Sequence, residues 1–248
     1  MNTYRITKKT MEFKTSISKT TDGKHAIHGK DLAELIEKHS FTEAVFLLLK
    51  GNLPSEKEAK LLDAMLVAAV ENGIEAPSIF VPRIVASSGN AFHTALAGGM
   101  LAIGEHHGGA GEQAAQIFSS GKTAQEVVDE YETAKKFIPG FGHKIYKTED
   151  PRAAALYNKA KELGFSCEAF HLAYAIEKEL ERRKGKKLPL NIDGAQAACM
   201  AELGLDWRLG KALFLIARIA GMSAHVLEEM KQQNSFYRLA ESDVHYES

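Results

Sequence analysis

The sequence predicts an all-α fold, on three observations. Apolar residues recur at helical spacing through most of the chain, and capping signals precede several of these apolar runs. Strand signals are confined to the N-terminal part. The composition is that of an ordinary globular protein, since 45% of the 248 residues are hydrophobic and 25% are charged. We therefore expect one compact helical bundle that begins with a short extended segment.

The extended segment comes first in the chain. Residues 4–18 partly alternate between apolar and polar side chains, which is the pattern of a half-buried strand. Asp22 and Gly23 follow, and this dipeptide favours a tight turn. The N-terminal segment is therefore expected to hold a strand and a turn.

Helix signals dominate the rest of the chain. A Ser or Thr followed three residues later by Glu is a capping box, and it precedes three apolar runs, at Ser40–Glu43, Ser55–Glu58 and Thr123–Glu126. Gly51 and Gly73 should end the first two helices. Asp150 as a capping acid and Pro151 as a first-turn proline mark another start. Two further helices are expected over residues 167–183 and 207–230.

Charge and composition exclude several classes of function. The net charge of −1 gives no global electrostatic support for binding nucleic acid or an anionic membrane. The first residues contain no apolar core of a signal peptide, and no uninterrupted apolar run approaches the roughly 20 residues that span a bilayer. Cys167 and Cys199 lack metal-ligand spacing and predict no disulfide framework. We expect a cytoplasmic protein without a metal site.

Two glycine-containing loops interrupt the helical pattern and carry histidines. Residues 104–112 place His106 and His107 among small residues, where backbone can approach a ligand closely. In the second loop, Pro139 to His143, a proline and two glycines precede the histidine. With cations nearby, this loop suits an anionic, nucleotide-like ligand. Taken alone, each loop is equally compatible with a structural turn.

Charged residues also stand in apolar surroundings. Asp193 lies at the expected start of an Ala-rich helix, where it either caps the helix or is a carboxylate with a perturbed pKa. Arg218 lies within an apolar helix and needs an anion, a water-lined cavity or a structural partner such as a buried Glu. His225 on the same helix is expected to be a satisfied core histidine. Imidazoles, a carboxylate and arginines together suit carbon–carbon bond chemistry next to a carbonyl.

Three motifs in a fixed order resemble those of the citrate synthase superfamily. They are His107-Gly108-Gly109-Ala110, the Pro139 to His143 loop with Asp150-Pro151-Arg152, and Asp193 before the final helices. The similarity extends to residues 28–55, which resemble the family's N-terminal segment, and to residues 217–230, which resemble its late arginine-bearing helix. The chain is thereby identified as a member of this superfamily along nearly its whole length.

The resemblance implies a mostly helical fold with a large and a small subdomain. We place the small subdomain at residues 111–200 and the large one at residues 1–110 plus 201–248. It also implies an obligatory homodimer or higher oligomer, in which Arg238 crosses to complete the partner's site.

The resemblance further implies the roles of individual residues. His107 would polarise the thioester carbonyl, His143 would act at the carbonyl or hydroxyl of the four-carbon partner, and Asp193 would handle the methyl proton. Carboxylates would be bound by Arg152, Arg218 and Arg238, with Asn72 as a further substrate ligand. Coenzyme A would enter only as part of substrate or product, with no permanently bound cofactor and no metal, and would be held by Pro139, Gly140, Phe141, Gly142 and Lys147.

Two departures from the family pattern decide the expected direction of the reaction. A long helical stretch of the synthases is replaced here by residues 56–74, and Asn72 stands where the family often has an oxaloacetate-binding histidine. Asparagine cannot become cationic, so it weakens the case for tight capture of free oxaloacetate. The shortened form resembles the citryl-CoA lyases and the lyase module of ATP-citrate lyase. Glu105 and His106 also depart from the family pattern, and the sequence does not explain that pair.

We therefore expect cleavage of (3S)-citryl-CoA to acetyl-CoA and oxaloacetate, in the setting of the reductive TCA cycle. His143 would take the hydroxyl proton, His107 would stabilise the enolate, and Asp193 would protonate its terminal carbon. A separate citryl-CoA synthetase would supply the substrate. Two alternatives stay open at this point. One is a compact citrate or methylcitrate synthase, and the other is a non-catalytic, coenzyme A-binding assembly subunit of a citrate-cleaving complex.

Overall fold

The computed structural model of the protein describes residues 12–247 and confirms the mostly helical fold. Three short strands open the described chain: β1 (Ser18–Thr21), β2 (Lys24–Ile27) and β3 (Lys30–Asp31). The first helices are α1 (Leu32–Lys38), α2 (Phe41–Lys50), α3 (Glu56–Ala69), α4 (Pro77–Ser87) and α5 (Phe92–Leu101). They are followed by α6 (Ala110–Phe118), α7 (Ala124–Thr133), α8 (Pro151–Glu162), α9 (Glu168–Lys184), α10 (Ile192–Glu202) and α11 (Gly210–Gln232).

The chain divides into two compact units between Ser55 and Glu56. In the N-terminal unit, β1 and β2 form an antiparallel hairpin in which Thr21 pairs with Lys24. The turn between them is the predicted Asp22-Gly23 pair, with φ values of 51° and 75°. Two successive positive φ angles are typical of the tight turn that joins twisted strands. β3 pairs with β2, and α1 and α2 follow.

The predicted strand over residues 4–18 is misplaced in its described part. Residues 12–17 form no strand, and pairing begins only at Ser18, opposite Ile27. The hairpin turn fixes this register, and β2 ends at Ile27 because the next residue, His28, has a positive φ of 46°. Beyond that point the hairpin continues with one backbone hydrogen bond, from His28 N to Ile17 O at 2.7 Å, but with no further strand. Residues 4–11 of the prediction lie outside the described residues.

Most helix ends agree with the capping signals. Ser40 and Glu43 form the reciprocal capping box of α2, and Gly51 ends that helix in the left-handed conformation. The box at Thr123–Glu126 opens α7, and Asp150 caps α8. The end of α3 differs from its prediction, since the helix stops at Ala69 and Gly73 lies in the turn that follows. The Ala69 carbonyl accepts a hydrogen bond from Arg218 of α11, so a tertiary contact replaces the next helical bond.

The C-terminal unit is organised around α10 and α11. α11 packs against α3, α4, α5 and α6, whereas α10 packs against α6, α8 and α9. Residues Trp207–Gln232, which include α11, are long and apolar enough to cross a membrane by length and composition alone, and α11 packs here against four helices of the unit. The predicted subdomains, 111–200 and the remainder, stay a prediction.

Candidate active site

One polar pocket in the C-terminal unit is lined by six of the predicted site residues. Its volume is about 210 Å³. The six are His107, His143, Asp193, Asn72, Arg152 and Arg218. They come from the ends of α3, α8 and α10, from the interior of α11, and from two loops. Residues that lie up to 146 positions apart (Asn72 and Arg218) thereby face one space.

The glycines after His107 are required by close packing of its loop. Gly108 has a φ of +82°, and a Cβ there would lie 2.9 Å from Ile103 Cγ2. A Cβ at Gly109 would lie 2.6 Å from the carbonyl oxygen of Glu105. The loop is also closed by a hydrogen bond from the Gly104 amide to the His107 carbonyl, at 2.9 Å. Substitution at either glycine would therefore displace the histidine.

The hydrogen bonds of His107 define which ring nitrogen carries the proton. The backbone N–H of Ser78 donates to Nε2 at 3.3 Å, and the Ser78 hydroxyl lies 2.9 Å from the same atom. Because an amide can only donate, Nε2 is the acceptor, and the neutral ring carries its proton on Nδ1. Burial lowers the pKa of His107, and the neighbouring Arg218 lowers it further. His107 is therefore a neutral hydrogen-bond donor.

Ser78 is a candidate site residue that the sequence reasoning missed. It is fully buried in the first turn of α4, and its hydroxyl accepts from Arg218 Nη1 at 3.3 Å while it faces His107 Nε2. The hydroxyl therefore links the arginine to the histidine. The sequence offered only Pro77-Ser78 at the start of a helix, where serine is a common residue.

Arg218 is buried at only 3% exposure and has no carboxylate partner among the described residues. Its Nε donates to the Ala69 carbonyl at 2.8 Å, and its guanidinium lies over the Phe214 ring at 4.6 Å. Burial lowers its pKa, against the attraction of Glu71 and Asp193. The predicted buried-Glu partner is not what satisfies this arginine. A carbonyl, a hydroxyl and an aromatic face do so, and the charge is left to act on the pocket.

The Pro139–His143 loop packs directly on the start of α10. A Cβ at Gly140 would lie 2.8 Å from Gly194 Cα, and a Cβ at Gly194 would lie 2.5 Å from the Gly140 carbonyl oxygen. Two backbone hydrogen bonds join the segments, from Gly142 N to Pro189 O at 2.7 Å and from Asn191 N to Gly140 O at 3.0 Å. Gly140 and Gly194 therefore allow the two backbones to approach closely, and this contact places His143 beside α10.

His143 and Arg152 place two nitrogen donors side by side in the pocket. His143 Nδ1 accepts from the amides of Ile145 and Tyr146, at 3.0 and 3.1 Å. The neutral ring therefore carries its proton on Nε2, which lies 3.2 Å from Arg152 Nη2. Since a guanidinium also only donates, the two groups do not satisfy each other, and an oxygen acceptor bound beside both would accept from each. Arg152 Nη1 in addition donates to Asn72 Oδ1 at 3.2 Å.

Asp150, predicted only as a helix cap, orients this arginine. Its fully buried carboxylate accepts from the backbone N and Nε of Arg152 at 3.0 Å each and from Nη2 at 2.8 Å. It also accepts from the backbone N of Ile192 at 3.1 Å. Burial raises the pKa of Asp150, but the hydrogen bonds and charge of Arg152 outweigh it, and the net pKa is lowered.

Asp193 is not the cap of α10, so its carboxylate is free for chemistry. Asn191 takes that role, since its Oδ1 accepts from the amides of Asp193 and Gly194 at 3.1 and 3.2 Å. Burial raises the pKa of Asp193, although Arg152 and Arg218 oppose the shift. Asn191, the second residue that sequence reasoning missed, belongs to the residue types that cap helices best.

The remaining predicted residues lie outside this group. Arg238 is exposed near the C-terminus, with its guanidinium 4.9 Å from the Phe236 ring, and does not line the pocket of its own chain. Lys147 is exposed, and its Nζ donates to the His143 carbonyl at 3.2 Å. The coenzyme A role of this lysine and of the Pro139–Gly142 loop stays a prediction, as does that of Arg238. Glu105 and His106 are exposed and also line the pocket.

Comparison with known proteins places the chain in a family. Residues 54–240 match the model described as citrate synthase, C-terminal domain. A putative citrate synthase 2 of Mycobacterium tuberculosis is 31% identical over 206 residues, which cover 79% of this chain and 54% of that protein. A citrate/2-methylcitrate synthase of Bacillus subtilis is 31% identical over 209 residues, covering 79% and 54%. The chain thus spans a little over half the length of these curated relatives.

Solved structures resemble the chain over more of its length. Citryl-CoA lyase from Hydrogenobacter thermophilus has a TM-score of 0.90 and 43% identity, covering 95% of this chain and 94% of that one. ATP citrate lyase from Methanothrix soehngenii, solved with citrate and coenzyme A, has a TM-score of 0.87 and 25% identity, covering 97% and 42%. These relatives and neighbours are named as synthases and lyases. With the matched domain and the shared fold, this chain belongs to the citrate synthase family of enzymes.

Proposed function

We propose that the protein is a citryl-CoA lyase that cleaves citryl-CoA into acetyl-CoA and oxaloacetate. The observation that carries the proposal is the likeness to the Hydrogenobacter thermophilus lyase, which spans 94% of that chain at 43% identity. The curated synthases match over only about half of their own length. Likeness to the ATP citrate lyase that was solved with citrate and coenzyme A supports the same substrate class.

The four-carbon part of the substrate would bind where His143 and Arg152 converge. Their two donors lie 3.2 Å apart and suit the tertiary oxygen of citryl-CoA, which becomes the carbonyl oxygen of oxaloacetate. Arg218 would attract a substrate carboxylate from its buried position. The thioester carbonyl would accept from the Nδ1–H of His107, because Nε2 of that ring is occupied by Ser78.

A single carboxylate can account for the proton balance. A ring that takes the hydroxyl proton at Nε2 must begin without one there, whereas Nδ1 of His143 already faces two amide donors. We therefore assign His143 as the donor that holds the tertiary oxygen. Asp193 takes the hydroxyl proton as the carbon–carbon bond breaks, and the bonding electrons pass to the thioester oxygen as an enolate held by His107. Asp193 then returns the proton to the terminal carbon, which yields acetyl-CoA.

The raised pKa of Asp193 suits this role, since a carboxylate that carries a proton between two sites must bind it with intermediate strength. The same chemistry needs no bound cofactor besides the coenzyme A of the substrate. A separate synthetase that activates citrate would supply citryl-CoA.

The proposal includes a homodimer in which Arg238 reaches the partner's pocket. Arg238 lies in a C-terminal segment with exposed apolar side chains, among them Phe236 at 52%, Leu239 at 78% and Tyr246 at 95%. Apolar surface of this kind is typical of a segment covered by another chain. An Arg238→Ala variant that cleaves citryl-CoA with wild-type KM would contradict this part of the proposal.

The test is a paired assay on the purified protein. Cleavage of citryl-CoA is followed by thioester absorbance, and oxaloacetate is followed with malate dehydrogenase as the coupling enzyme. We expect fast cleavage and little citrate from acetyl-CoA plus oxaloacetate. His107→Ala should lower kcat about a hundredfold or more, as loss of one oxyanion donor does. Wild-type activity in that variant would refute the assignment.

A compact citrate or methylcitrate synthase is the second candidate, because the curated relatives carry those names. Efficient formation of citrate and free coenzyme A in the same assay would establish it. The two functions differ in whether the site hydrolyses the thioester after the carbon–carbon bond has formed.

A further inference from the structure

The turn that carries Asn72 is held by one face of α11. Arg218, Gly221 and His225 are spaced three and four residues apart, so they lie on the same side of the helix. Arg218 Nε donates to the Ala69 carbonyl at 2.8 Å. The next carbonyl, that of Val70, approaches so closely that a Cβ on Gly221 would lie 2.4 Å from its oxygen. α11 therefore contacts the end of α3 residue by residue.

The third contact brackets Asn72 itself. His225 Nε2 lies 2.9 Å from Glu71 Oε1, and the other carboxylate oxygen of Glu71 accepts the amide of Gly73. One side chain thereby joins the residues on both sides of Asn72 to α11. The carboxylate can only accept, so His225 donates from Nε2, and its Nδ1 faces the guanidinium of Arg83 at 3.4 Å. The donor direction of the pair is therefore defined.

This arrangement has a consequence for the pocket. Asn72 is exposed on the pocket wall, and the described link of its side chain to the rest of the site is the 3.2 Å hydrogen bond from Arg152 Nη1. Arg152 in turn lies beside His143. A shift of the turn by about 1 Å would break the hydrogen bond to Arg152.

We propose that Glu71 and His225 are positioning residues, which hold the Asn72 turn so that its carboxamide meets Arg152 and the four-carbon part of the substrate. This inference rests on the proposed function in taking oxaloacetate as the ligand of that part of the pocket. It assigns a role to two residues that do not line the pocket, through a contact that spans 154 positions.

Glu71→Gln is the direct variant, because it keeps the size of the side chain but leaves only one acceptor for the two donors. We expect about a tenfold weaker Kd for oxaloacetate by calorimetry and a similar rise in KM for citryl-CoA, with kcat changed less than twofold. Coenzyme A affinity should be unchanged. Glu75→Gln is the matched control, since Glu75 lies on the same turn, is exposed and makes none of the described hydrogen bonds.

Two further variants separate positioning from general loss of structure. His225→Ala should reproduce the effect of Glu71→Gln, whereas His225→Gln, which can still donate to Glu71, should recover part of the affinity. In an Asn72→Ala background, Glu71→Gln should have no further effect on oxaloacetate binding. Additive effects in that double-variant cycle would overturn the proposal, whatever happens to the melting temperature.

Crystal structures of the wild type and of Glu71→Gln test the geometry without reference to activity. The proposal expects Asn72 Oδ1 to move out of hydrogen-bond distance of Arg152 Nη1 in the variant. An unchanged distance would overturn it. If the wild type neither binds oxaloacetate nor cleaves citryl-CoA, the proposed function fails, and these structures still decide the positioning role by themselves.

Discussion

Asp150 offers the sharpest test of how burial supports this site, because the chain contains an exposed copy of the same motif. Asp150 accepts from the backbone N, Nε and Nη2 of Arg152, and its side chain is 0% exposed. Asp206 accepts from the same three groups of Arg208, but its side chain is 40% exposed and that of Arg208 is 73% exposed. The two pairs share geometry and differ in burial.

Asp150→Asn replaces one acceptor oxygen by an amide that can only donate. Arg152 donates to both oxygens, so it loses an acceptor whichever oxygen is replaced, and the Ile192 amide also loses its acceptor if that oxygen is Oδ2. Breaking a buried pair in this way costs about 3–5 kcal/mol. For a chain of this size, the melting temperature should fall on the order of 10 °C. Asp206→Asn should leave the stability close to that of the wild type, because exposed pairs are worth little.

Thermal and urea unfolding of the three proteins provide the measurement, together with KM for citryl-CoA. We expect KM to rise about tenfold or more in Asp150→Asn, since Arg152 loses the carboxylate that orients it. Equal stability losses in the two variants would refute the reasoning, because the role assigned to burial would then be wrong. A stability loss confined to Asp150→Asn with unchanged KM would refute the assignment of Asp150 as the residue that orients Arg152.

The pH dependence of the same stability difference has a defined sign. The pKa of Asp150 is lowered in the folded protein, because the effect of Arg152 outweighs that of burial. The folded state therefore binds fewer protons than the unfolded chain, in which the pKa of an Asp is about 3.9. The stability that Asp150 contributes is fully present above that pH and is lost as the pH falls through the pKa of Asp150 in the folded protein. The gap between wild type and Asp150→Asn should accordingly narrow as the pH is lowered below about 4.

Three further outcomes are expected. Ser78→Ala should lower kcat for citryl-CoA cleavage about ten- to a hundredfold, since His107 Nε2 then keeps only its 3.3 Å contact with the backbone amide of residue 78. Ser87→Ala, at the other end of α4, is its control. Asn72→His should tighten oxaloacetate binding at pH 6 more than at pH 8, because an imidazole can become cationic, and calorimetry that finds equal affinities would contradict this. Gly194→Ala should lower both melting temperature and activity, because its Cβ would meet the Gly140 carbonyl at 2.5 Å.

Local sequence signals predicted the helices that depend on neighbours in the chain. The capping boxes of α2 and α7 formed as expected, since each joins residues only three positions apart. The end of α3 could not be read in this way, because α11 captures the Ala69 carbonyl from 149 positions away. The N-terminal strand was misplaced for a similar reason: an alternating pattern needs a partner strand, and β2 ends too early to pair with residues 12–16.

The candidate site was predictable as a set of residue types but not as an arrangement. His107, His143 and Asp193 stood out because histidines on glycine-rich loops and an acid at an apolar helix start break local rules. Ser78 and Asn191 did not, since a serine or asparagine at a helix start is common. The role of Ser78 arises from His107, which lies 29 positions away. Asn191 caps α10 through nearby amides and also donates to the Gly142 carbonyl, 49 positions away.

The amino-acid sequence by itself determined the helical class, the helix starts and the identity of the reactive groups, because these depend on spacing within a few residues and on side-chain chemistry. Only the tertiary structure decided which nitrogen of His107 donates and that Arg152 meets Asn72 at the pocket. Those properties depend on amides, hydroxyls and carboxylates that approach within about 3 Å only when distant segments pack. Hydrogen bonds of that kind leave no pattern in the sequence.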